Sequence, residues 1–307
     1  MIRVRLKKAV IVLSLIFLIA LAIVSAISYY VVKKFIFRRV HKQEWLQRNG
    51  EFNSLLCKEH GGQPVTFKAS DGMALAGLLF LRPQAQRNFL MCHGYSRSKE
   101  RLYNLVKLFP HDNILIFDYR AHGESQGDFT TIGYYEKDDV VAAFNLLQNH
   151  ETTKNLPIFG IGVSMGAVSL LGAAAQGLPF KGLVIDSAFK RLDQQLAKML
   201  PEKTGLPVMP FMNFCQTIFE YLCACTMEEV NAHVWAETLT APVLIIHSNH
   251  DTLADVAAAH ELYAKVSGHK KLWIVDDAHH AGIFKLYPDD YVQNVTAFLD
   301  SIEAPSA

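Results

Sequence analysis

The sequence has few cysteines and almost no net charge. Its five cysteines are an odd number and lack the spacing of a disulfide scaffold. Cys92 lies in an apolar run, which predicts a buried free thiol, and the C-x-C pair Cys223 and Cys225 lacks the spacing of a zinc knuckle or a redox pair. The net charge of +1 gives no electrostatic case for nucleic acid as a partner. Internal repeats and low-complexity tracts are also absent.

Charge is missing altogether from one long stretch near the N-terminus. Residues 9–32 contain no charged side chain and are about long enough to cross a bilayer as a helix. Tyr29 and Tyr30 lie where an interfacial aromatic belt would place them. The run is longer than the core of a usual signal peptide, and the basic stretch after it suits a stop better than a cleavage site. We therefore predict a retained single-pass membrane anchor at residues 1–39 rather than a cleaved signal.

The side of the membrane that holds the rest of the chain stays open. Basic residues nearly balance at the two ends of the apolar run: Arg3, Arg5, Lys7 and Lys8 precede it, and Lys33, Lys34, Arg38 and Arg39 follow it. The positive-inside rule therefore assigns no orientation. The short N-terminal tail favours an outside domain, whereas the dense basic stretch at 33–42 argues for the opposite.

The remainder of the chain is organised as alternating short apolar runs and helical stretches. Residues 40–63 are polar and mixed, which predicts a helical juxtamembrane connector, and residues 64–307 are long enough for one α/β domain. The alternation predicts a mostly parallel sheet with helices on both faces, preceded by an antiparallel pair at 64–68 and 74–81. The other predicted strands are 88–92, 113–118, 156–160, 182–186, 243–247 and 271–275. The predicted helices are 99–108, 134–149, 165–176, 255–266 and 289–302.

Residues 189–240 break this alternation. They are rich in Met, Phe, Leu and Pro and contain no clear strand, which predicts a helical lid inserted over the carboxyl edge of the sheet. Its apolar side chains include Met199, Met209, Phe211, Met212, Phe214, Ile218, Phe219 and Tyr221. An apolar lid near a membrane suits an ester or lipid-like acyl substrate, and the same side chains equally suit packing onto the sheet.

The strongest local motif is a G-x-S-x-G pentapeptide at residues 162–166. It follows an apolar strand and precedes a helix predicted to begin at Met165. A strand that turns sharply into a helix holds the serine in a strained conformation, and the two glycines prevent steric clash across the turn. The helix N-terminus places backbone N–H groups beside the site where an oxyanion would form. This context predicts Ser164 as a nucleophile.

A serine nucleophile needs a base and an acid that orients the base. Asp251 follows the strand predicted at 243–247, and the paired histidines His279 and His280 follow the strand predicted at 271–275. Ligands bind at the carboxyl ends of strands in open α/β sheets. The sequence therefore predicts that Asp251 and one of the two histidines lie beside Ser164.

From about residue 64 to residue 299 the chain resembles the α/β-hydrolase superfamily. The resemblance is carried by the G-x-S-x-G, an H-G pair at 93–94, a D-x-R-x-x-G-x-S segment at 118–125 and an I-H-x-x-x-D segment at 246–251. It implies the α/β-hydrolase fold, as in members with a single N-terminal membrane helix. It further implies that the backbone N–H groups of Tyr95 and Met165 form the oxyanion hole. Aligning the family's histidine with the H-A pair selects His280 over His279.

Two positions depart from the usual pattern of this superfamily. Ser248 stands where the acid motif usually has glycine, and residues 277–279 replace the usual G-x-G before the histidine.

The resulting interpretation is a membrane-anchored serine hydrolase with the triad Ser164, His280 and Asp251. His280 removes the proton from Ser164, Asp251 holds the imidazole, and water releases the acyl-enzyme. This chemistry needs no cofactor and no metal. The expected partners are the membrane and a small-molecule or lipid-like acyl substrate. Esterase, thioesterase and peptidase chemistry share the triad and stay open.

Other assignments explain fewer of the motifs. Asp255 is predicted to cap the next helix, Asp186 to make a strand-end hydrogen bond, and His93 to brace its own loop. A metal site built from Asp251 and the nearby histidines (residues 247, 250, 279 and 280) leaves the G-x-S-x-G unexplained. Dehalogenation on this fold commonly uses an aspartate nucleophile. An inactive, membrane-tethered binding module is disfavoured because all three triad residues are present.

Overall fold

An eight-stranded sheet forms the centre of the molecule in a computed structural model that describes residues 2–37 and 59–303. The strands are β1 (Gly62–Lys68), β2 (Ala74–Phe80), β3 (Asn88–Cys92), β4 (Asn113–Phe117), β5 (Ile158–Val163), β6 (Gly182–Asp186), β7 (Val243–Ser248) and β8 (Lys270–Val275). Their order in the sheet is β1-β2-β4-β3-β5-β6-β7-β8. β2 pairs antiparallel with β1 and β4, and all other pairs are parallel. The predicted, mostly parallel sheet is confirmed.

Helices cover both faces of the sheet because its central strands are apolar on both sides. Beyond α1 (Ile2–Ile36), the helices are α2 (Tyr103–Leu108), α3 (Glu136–Asn149), α4 (Met165–Ala174), α5 (Leu192–Thr204), α6 (Val208–Cys223), α7 (Ala232–Glu237), α8 (Val256–Lys265), α9 (Ile283–Leu286) and α10 (Pro288–Glu303). One apolar core joins the sheet to α3, α4, α7 and α8. A second joins the opposite face to α2, α9 and α10.

Strand β5 differs most from the sequence prediction. It begins at Ile158 and continues to Val163, whereas the prediction ended it at residue 160. Glycine normally weakens a strand, but here α4 passes so close that a Cβ on Gly160 would lie 2.7 Å from the Leu170 side chain. The glycines therefore belong to the strand, which delivers the chain directly to Ser164.

Other predicted boundaries shift for local reasons. The helix predicted at 99–108 divides into a 3₁₀ turn (Lys99–Leu102) and α2, because Arg101 N–H bonds to the Ser98 carbonyl three residues earlier. Helix α3 begins at Glu136, whose carboxylate accepts hydrogen bonds from the loop before it. Most of the predicted connector at 40–63, together with Cys57, lies outside the described residues.

The region between β6 and β7 contains α5, α6 and α7. Among its described residues, β pairing is limited to one isolated bridge between Arg191 and Asn231, both within the region. Its apolar side chains pack inward, with Met212, Cys215 and Phe219 of α6 buried. Burial raises the pKa of both Cys223 and Cys225 to about 12, and Cys92 is also a buried free thiol. The residues predicted as a lid thus form a helical layer.

The last turns of α1 are part of the domain core. Val31, Val32 and Ile36 are buried, and the Ile36 carbonyl accepts a hydrogen bond from Thr130 N–H at 2.9 Å. The Tyr95 hydroxyl donates to the Phe35 carbonyl at 2.7 Å. The first two thirds of α1 are exposed, and by length and composition the stretch Arg3–Ile36 is able to cross a membrane.

A buried ammonium group holds together two loops at the carboxyl edge of the sheet. Lys99 Nζ lies 2.7 Å from Asp118, 2.9 Å from Glu100 and 2.6 Å from Glu124. Burial favours the neutral amine, but the carboxylates of Asp118 and Glu100 outweigh it and raise the pKa of Lys99. The three carboxylates are close enough to hold a metal ion, and the lysine fills the space between them.

We expect Lys99→Met to lower the free energy of unfolding by about 3–5 kcal/mol, because it leaves buried carboxylates without a counter-charge. Denaturant unfolding of the detergent-solubilised protein measures this loss. Lys181→Met, at an exposed lysine, is the control and should change stability by less than about 0.5 kcal/mol. Equal stability of the two variants would contradict a structural role for the ammonium group.

Candidate active site

Ser164 occupies a strained turn between β5 and α4. Its backbone has φ 56° and ψ −119°, in the positive-φ region that non-glycine residues rarely adopt. Its N–H donates to the Asp186 carbonyl at 2.8 Å, and its carbonyl accepts from Ala167 and Val168 in the first turn of α4. These bonds fix the turn and leave the hydroxyl at the carboxyl edge of the sheet.

The glycines of the motif permit this turn. A Cβ on Gly162 would lie 2.6 Å from Ala167 Cα, and one on Gly166 would lie 2.3 Å from the Cys92 carbonyl oxygen. Real Cβ atoms do not approach backbone so closely, so both positions require glycine. The close packing of β3, β5 and α4 therefore explains the spacing of the G-x-S-x-G.

Three predicted side chains form one hydrogen-bonded row. His280 Nε2 lies 2.8 Å from Ser164 Oγ, and His280 Nδ1 lies 2.7 Å from Asp251 Oδ2. A carboxylate at Nδ1 favours the tautomer with hydrogen on Nδ1, which leaves Nε2 free to accept the serine proton. His279 is exposed, so the structure places His280, and not its neighbour, between the other two.

Asp251 is held in the ionised form. Its Oδ1 accepts hydrogen bonds from the N–H groups of Leu253 and Ala254, both at 2.9 Å. Burial favours the neutral acid, but the hydrogen bond and charge of His280, with the Ala254 N–H, outweigh it and lower the pKa of Asp251. The carboxylate is therefore charged at neutral pH and can stabilise an imidazolium.

A second histidine lies behind Asp251. His247 is buried, with Nε2 3.0 Å from the Ala254 carbonyl and 3.5 Å from Asp251 Oδ2. Burial lowers the pKa of His247, so the ring is neutral and donates to the carbonyl. Ser248, the departure from the usual glycine, accepts a hydrogen bond from His250 N–H through its hydroxyl. The serine at this position thus adds a hydrogen bond within the turn that glycine could not make.

The loop after β3 passes directly beside Ser164. A Cβ on Gly94 would lie 3.3 Å from Ser164 Cβ. His93 braces this loop as predicted: Nε2 accepts from Tyr119 N–H at 3.2 Å, and Nδ1 lies 2.8 Å from the Gly94 carbonyl. Burial lowers the pKa of His93 to about 3, which keeps the ring neutral. Tyr95, one of the two predicted oxyanion residues, follows in the same loop.

Met165, the other predicted oxyanion residue, is the first residue of α4. N–H groups in the first turn of a helix have no acceptor within the helix, and the helix dipole is positive there. An oxyanion formed at Ser164 would lie at this helix end.

Sequence reasoning missed two supports of these loops. His122 holds the loop after β3 by accepting from Ser96 N–H at 3.3 Å, and its Nδ1 lies 2.9 Å from the Arg120 carbonyl. Ser187 donates to Asp186 Oδ1 at 2.8 Å and accepts from Ala281 N–H at 3.2 Å. The second support connects the end of β6 to the residue after His280. Neither has a local sequence signal, because Ser96, which His122 holds, and Ala281, which Ser187 holds, lie far away along the chain.

The residues of the competing assignments make other contacts in the structure. Asp255 caps α8 by accepting from Ala257 N–H, and Asp186 bonds to Ser187 rather than to the His280 ring. Among residues 2–37 and 59–303, the histidines at 247, 250, 279 and 280 form no group of three ligand atoms close enough for a metal ion.

A pocket of about 290 Å³ opens beside Ser164 and His280. Its apolar wall contains Leu102, Val163, Leu253 and Phe284. The site therefore combines a hydrogen-bonded serine, imidazole and carboxylate with a pocket that is large enough for an acyl group.

Comparisons with known proteins identify the family and the fold. A family model described as "Serine aminopeptidase, S33" matches residues 83–223. Protein YqkD of Bacillus subtilis is 33% identical over 220 residues, which cover 69% of this chain and 71% of that protein. Protein R595 of Acanthamoeba polyphaga mimivirus is 23% identical over 282 residues, covering 86% of this chain and 91% of its own.

Solved structures show the same fold. The esterase Pf2001 of Pyrococcus furiosus has a TM-score of 0.67 at 23% identity, covering 80% of this chain and 95% of that chain. The esterase EaEST of Exiguobacterium antarcticum has a TM-score of 0.59 at 14% identity, covering 78% and 100%. The chain belongs to the α/β-hydrolase superfamily.

Asp186 gives the site a pH-dependent stability. Burial raises the pKa of Asp186 to about 7, and the ionisable groups that act on it are His280, Asp251 and Tyr291. Because the folded protein keeps this acid neutral, its contribution to stability is complete below about pH 4 and is lost as the pH rises towards 7.

We therefore expect Asp186→Asn to gain stability relative to the parent as the pH rises from 5 to 7.5. Melting temperatures of both proteins across this range measure the difference. Parallel pH profiles would show that Asp186 titrates normally.

Proposed function

We propose that this protein is a serine hydrolase that cleaves a carboxylic ester or related acyl substrate. The observation that carries the proposal is the row of hydrogen bonds from Ser164 through His280 to Asp251. Serine is a weak nucleophile by itself, and a neutral imidazole 2.8 Å away can take its proton as the hydroxyl attacks a carbonyl carbon.

The same row carries the rest of the mechanism. Asp251 holds the His280 ring and stabilises it after it becomes positive. The backbone N–H groups of Met165 and Tyr95 stabilise the tetrahedral oxyanion, and the ring then gives its proton to the leaving group. Water, activated by His280, releases the acyl group from Ser164. The cycle requires neither a metal nor a cofactor.

A peptidase is the second candidate on the same triad. It is favoured by the description "Serine aminopeptidase, S33" of the matching family model. The esterases among the similar structures, and an apolar pocket wall, favour an ester. Matched ester and amide substrates with the same acyl group distinguish the two.

We also propose that α1 is a retained membrane anchor and not a cleaved signal. Cleavage at the end of the apolar run, after Val32, would remove Val31 and Val32, whose side chains are buried in the domain core. Loss of buried apolar side chains leaves cavities that cost free energy, so the last turns of α1 stabilise the domain. The protein is thus a single-pass membrane protein, and the basic residues that flank α1 do not assign its catalytic domain to either side of the membrane.

A fluorophosphonate probe tests the activated serine in the full-length, detergent-solubilised protein. We expect the parent to label covalently, Ser164→Ala not to label, and His280→Ala to lose on the order of 10⁴-fold or more in turnover of a short-chain ester. His279→Ala is the matched control and should behave as the parent, because its exposed side chain lies outside the row.

A folded parent that fails to label would overturn the hydrolase assignment and would favour an inactive, membrane-tethered binding module. Labelling that survives Ser164→Ala would show that another residue reacts.

A further inference from the structure

The charged side chains described at the mouth of the pocket are all basic. Three of its lining residues are basic, namely Arg97, Arg101 and Lys285, and among the described residues no aspartate or glutamate lines it. All three are exposed. The whole chain carries a net charge of only +1, so this local excess does not reflect a generally basic surface.

The three side chains surround the reacting serine. Arg97 and Arg101 follow the loop after β3, which passes beside Ser164. Lys285 lies in α9, shortly after His280. The cations therefore reach the pocket from two separate parts of the chain.

Arg97 and Arg101 lie close enough for their positive charges to repel each other. Partial burial and the charge of Arg101 lower the pKa of Arg97. In the part of the chain that the structure describes, the ion pairs do not include any of these three side chains. An anion that enters the mouth relieves this repulsion and gains charge-assisted hydrogen bonds from the guanidinium groups.

We propose that the pocket takes a negatively charged acyl substrate, with a carboxylate, phosphate or sulfate group held by Arg97, Arg101 and Lys285. This inference rests on the proposed hydrolase function and defines its substrate class. Proton transfer is complete within Ser164, His280 and Asp251, so the three cations act as specificity residues and not as catalytic ones.

Paired chromogenic esters test the proposal. 4-Nitrophenyl butyrate is neutral, mono-4-nitrophenyl succinate carries a carboxylate on the acyl side, and 3-carboxy-4-nitrophenyl butyrate carries it on the leaving group. We expect Arg97→Gln, Arg101→Gln and Lys285→Gln each to lower kcat/KM about 3- to 10-fold on at least one anionic ester and less than about 2-fold on the neutral one. Added salt should weaken the parent on the same anionic ester.

Lys107→Gln is the matched control, because Lys107 is an exposed lysine of α2 that does not line the pocket. A protein that labels with fluorophosphonate yet responds equally on all three esters overturns the anionic substrate and leaves the hydrolase intact. If esters turn over too slowly to measure, phenyl phosphate is added as a competitor of the fluorophosphonate probe. Slower labelling of the parent, with this protection lost in Arg101→Gln, supports the proposal, and no protection contradicts it. Absence of labelling at Ser164 overturns both.

A second observation concerns the packing of α6 along α1. Ser28 Oγ lies 3.5 Å from the Phe211 carbonyl oxygen, and Cys215 Sγ lies 3.9 Å from the Ser28 carbonyl oxygen. At the other end, Ile36 and Cys223 both bond to the loop before α3, through Thr130 and Tyr135. The two helices therefore run in the same direction, and the start of α6 lies level with Ser28 or deeper along α1.

The length of α1 places this level at the membrane. A bilayer core requires roughly 20 apolar residues, which takes the span from Ala9 to about Ser28. Contact with the rest of the molecule begins near Val24, so only roughly 15 residues, or about 22 Å, lie free of it. That length is too short for a core of about 30 Å, and the domain must therefore touch the bilayer where α6 begins.

The chain at this level is apolar. Residues 206–211 read Leu-Pro-Val-Met-Pro-Phe, a segment that we name the α6 tip. Val208 and Met209 are exposed at 39% and 60%, and Lys203 before the tip is exposed as well. Large apolar side chains exposed together are typical of a surface that enters a lipid interface.

We propose that the α6 tip inserts into the lipid interface beside α1 and holds the pocket-bearing domain against the bilayer. The proposal rests on the membrane span proposed for α1. The occupant of this surface is lipid, because the tip continues the apolar face of a helix that already enters the membrane.

An environment-sensitive fluorophore tests the depth of the tip in the full-length chain reconstituted into phosphatidylcholine vesicles. NBD attached after Met209→Cys should emit at shorter wavelength and be quenched by spin-labelled acyl chains, with the signal of identically treated parent subtracted. Tyr221→Cys is the matched control, since Tyr221 is 86% exposed on the far end of the same helix and should report water.

Equal, water-like emission from both positions overturns the insertion of the tip. A protein that does not float with the vesicles at all overturns the span itself, so the two failures are distinct.

Discussion

The close approach of three backbone segments around Ser164 determines much of the remaining architecture. β3, β5 and α4 meet where Gly162 and Gly166 have no side chain, and a Cβ at either place would enter neighbouring backbone. The helix α4 therefore stays packed against both strands. This packing holds Ser164 at positive φ, with its hydroxyl at the carboxyl edge of the sheet. The strain costs on the order of 1–3 kcal/mol, which the surrounding core must offset.

Around this turn the loops are held by polar groups that are themselves buried. The carboxylate of Asp118, the neutral ring of His93 and the ionised carboxylate of Asp251 each accept a hydrogen bond from a backbone N–H group that would otherwise lack a partner. Such networks rigidify a site only when every member is satisfied. The orientation of His280 therefore depends on atoms at some distance from the reaction.

Features with a local cause were predictable from the sequence. The limits of β3 and β6 match because short apolar runs bounded by turn residues have one stable place in a parallel sheet. The order of Ser164, Asp251 and His280 was likewise readable, since each follows a strand end. The extent of β5 was not, because Gly160 looks like an interruption until α4 is present to require it. In the sequence, Lys99 resembles a solvent-exposed lysine, because Asp118 and Glu124, which contact its ammonium group, are distant along the chain.

The hydrogen bond from the Tyr95 hydroxyl to the Phe35 carbonyl changes the nature of the connection between helix and domain. A domain joined to its helix by a flexible linker adopts many orientations. This domain is instead bonded to α1 at both the Tyr95 loop and α6. Any tilt or rotation of α1 therefore turns the mouth of the pocket by the same angle. For the membrane span proposed for α1, bilayer thickness, which governs helix tilt, would then determine where the pocket points.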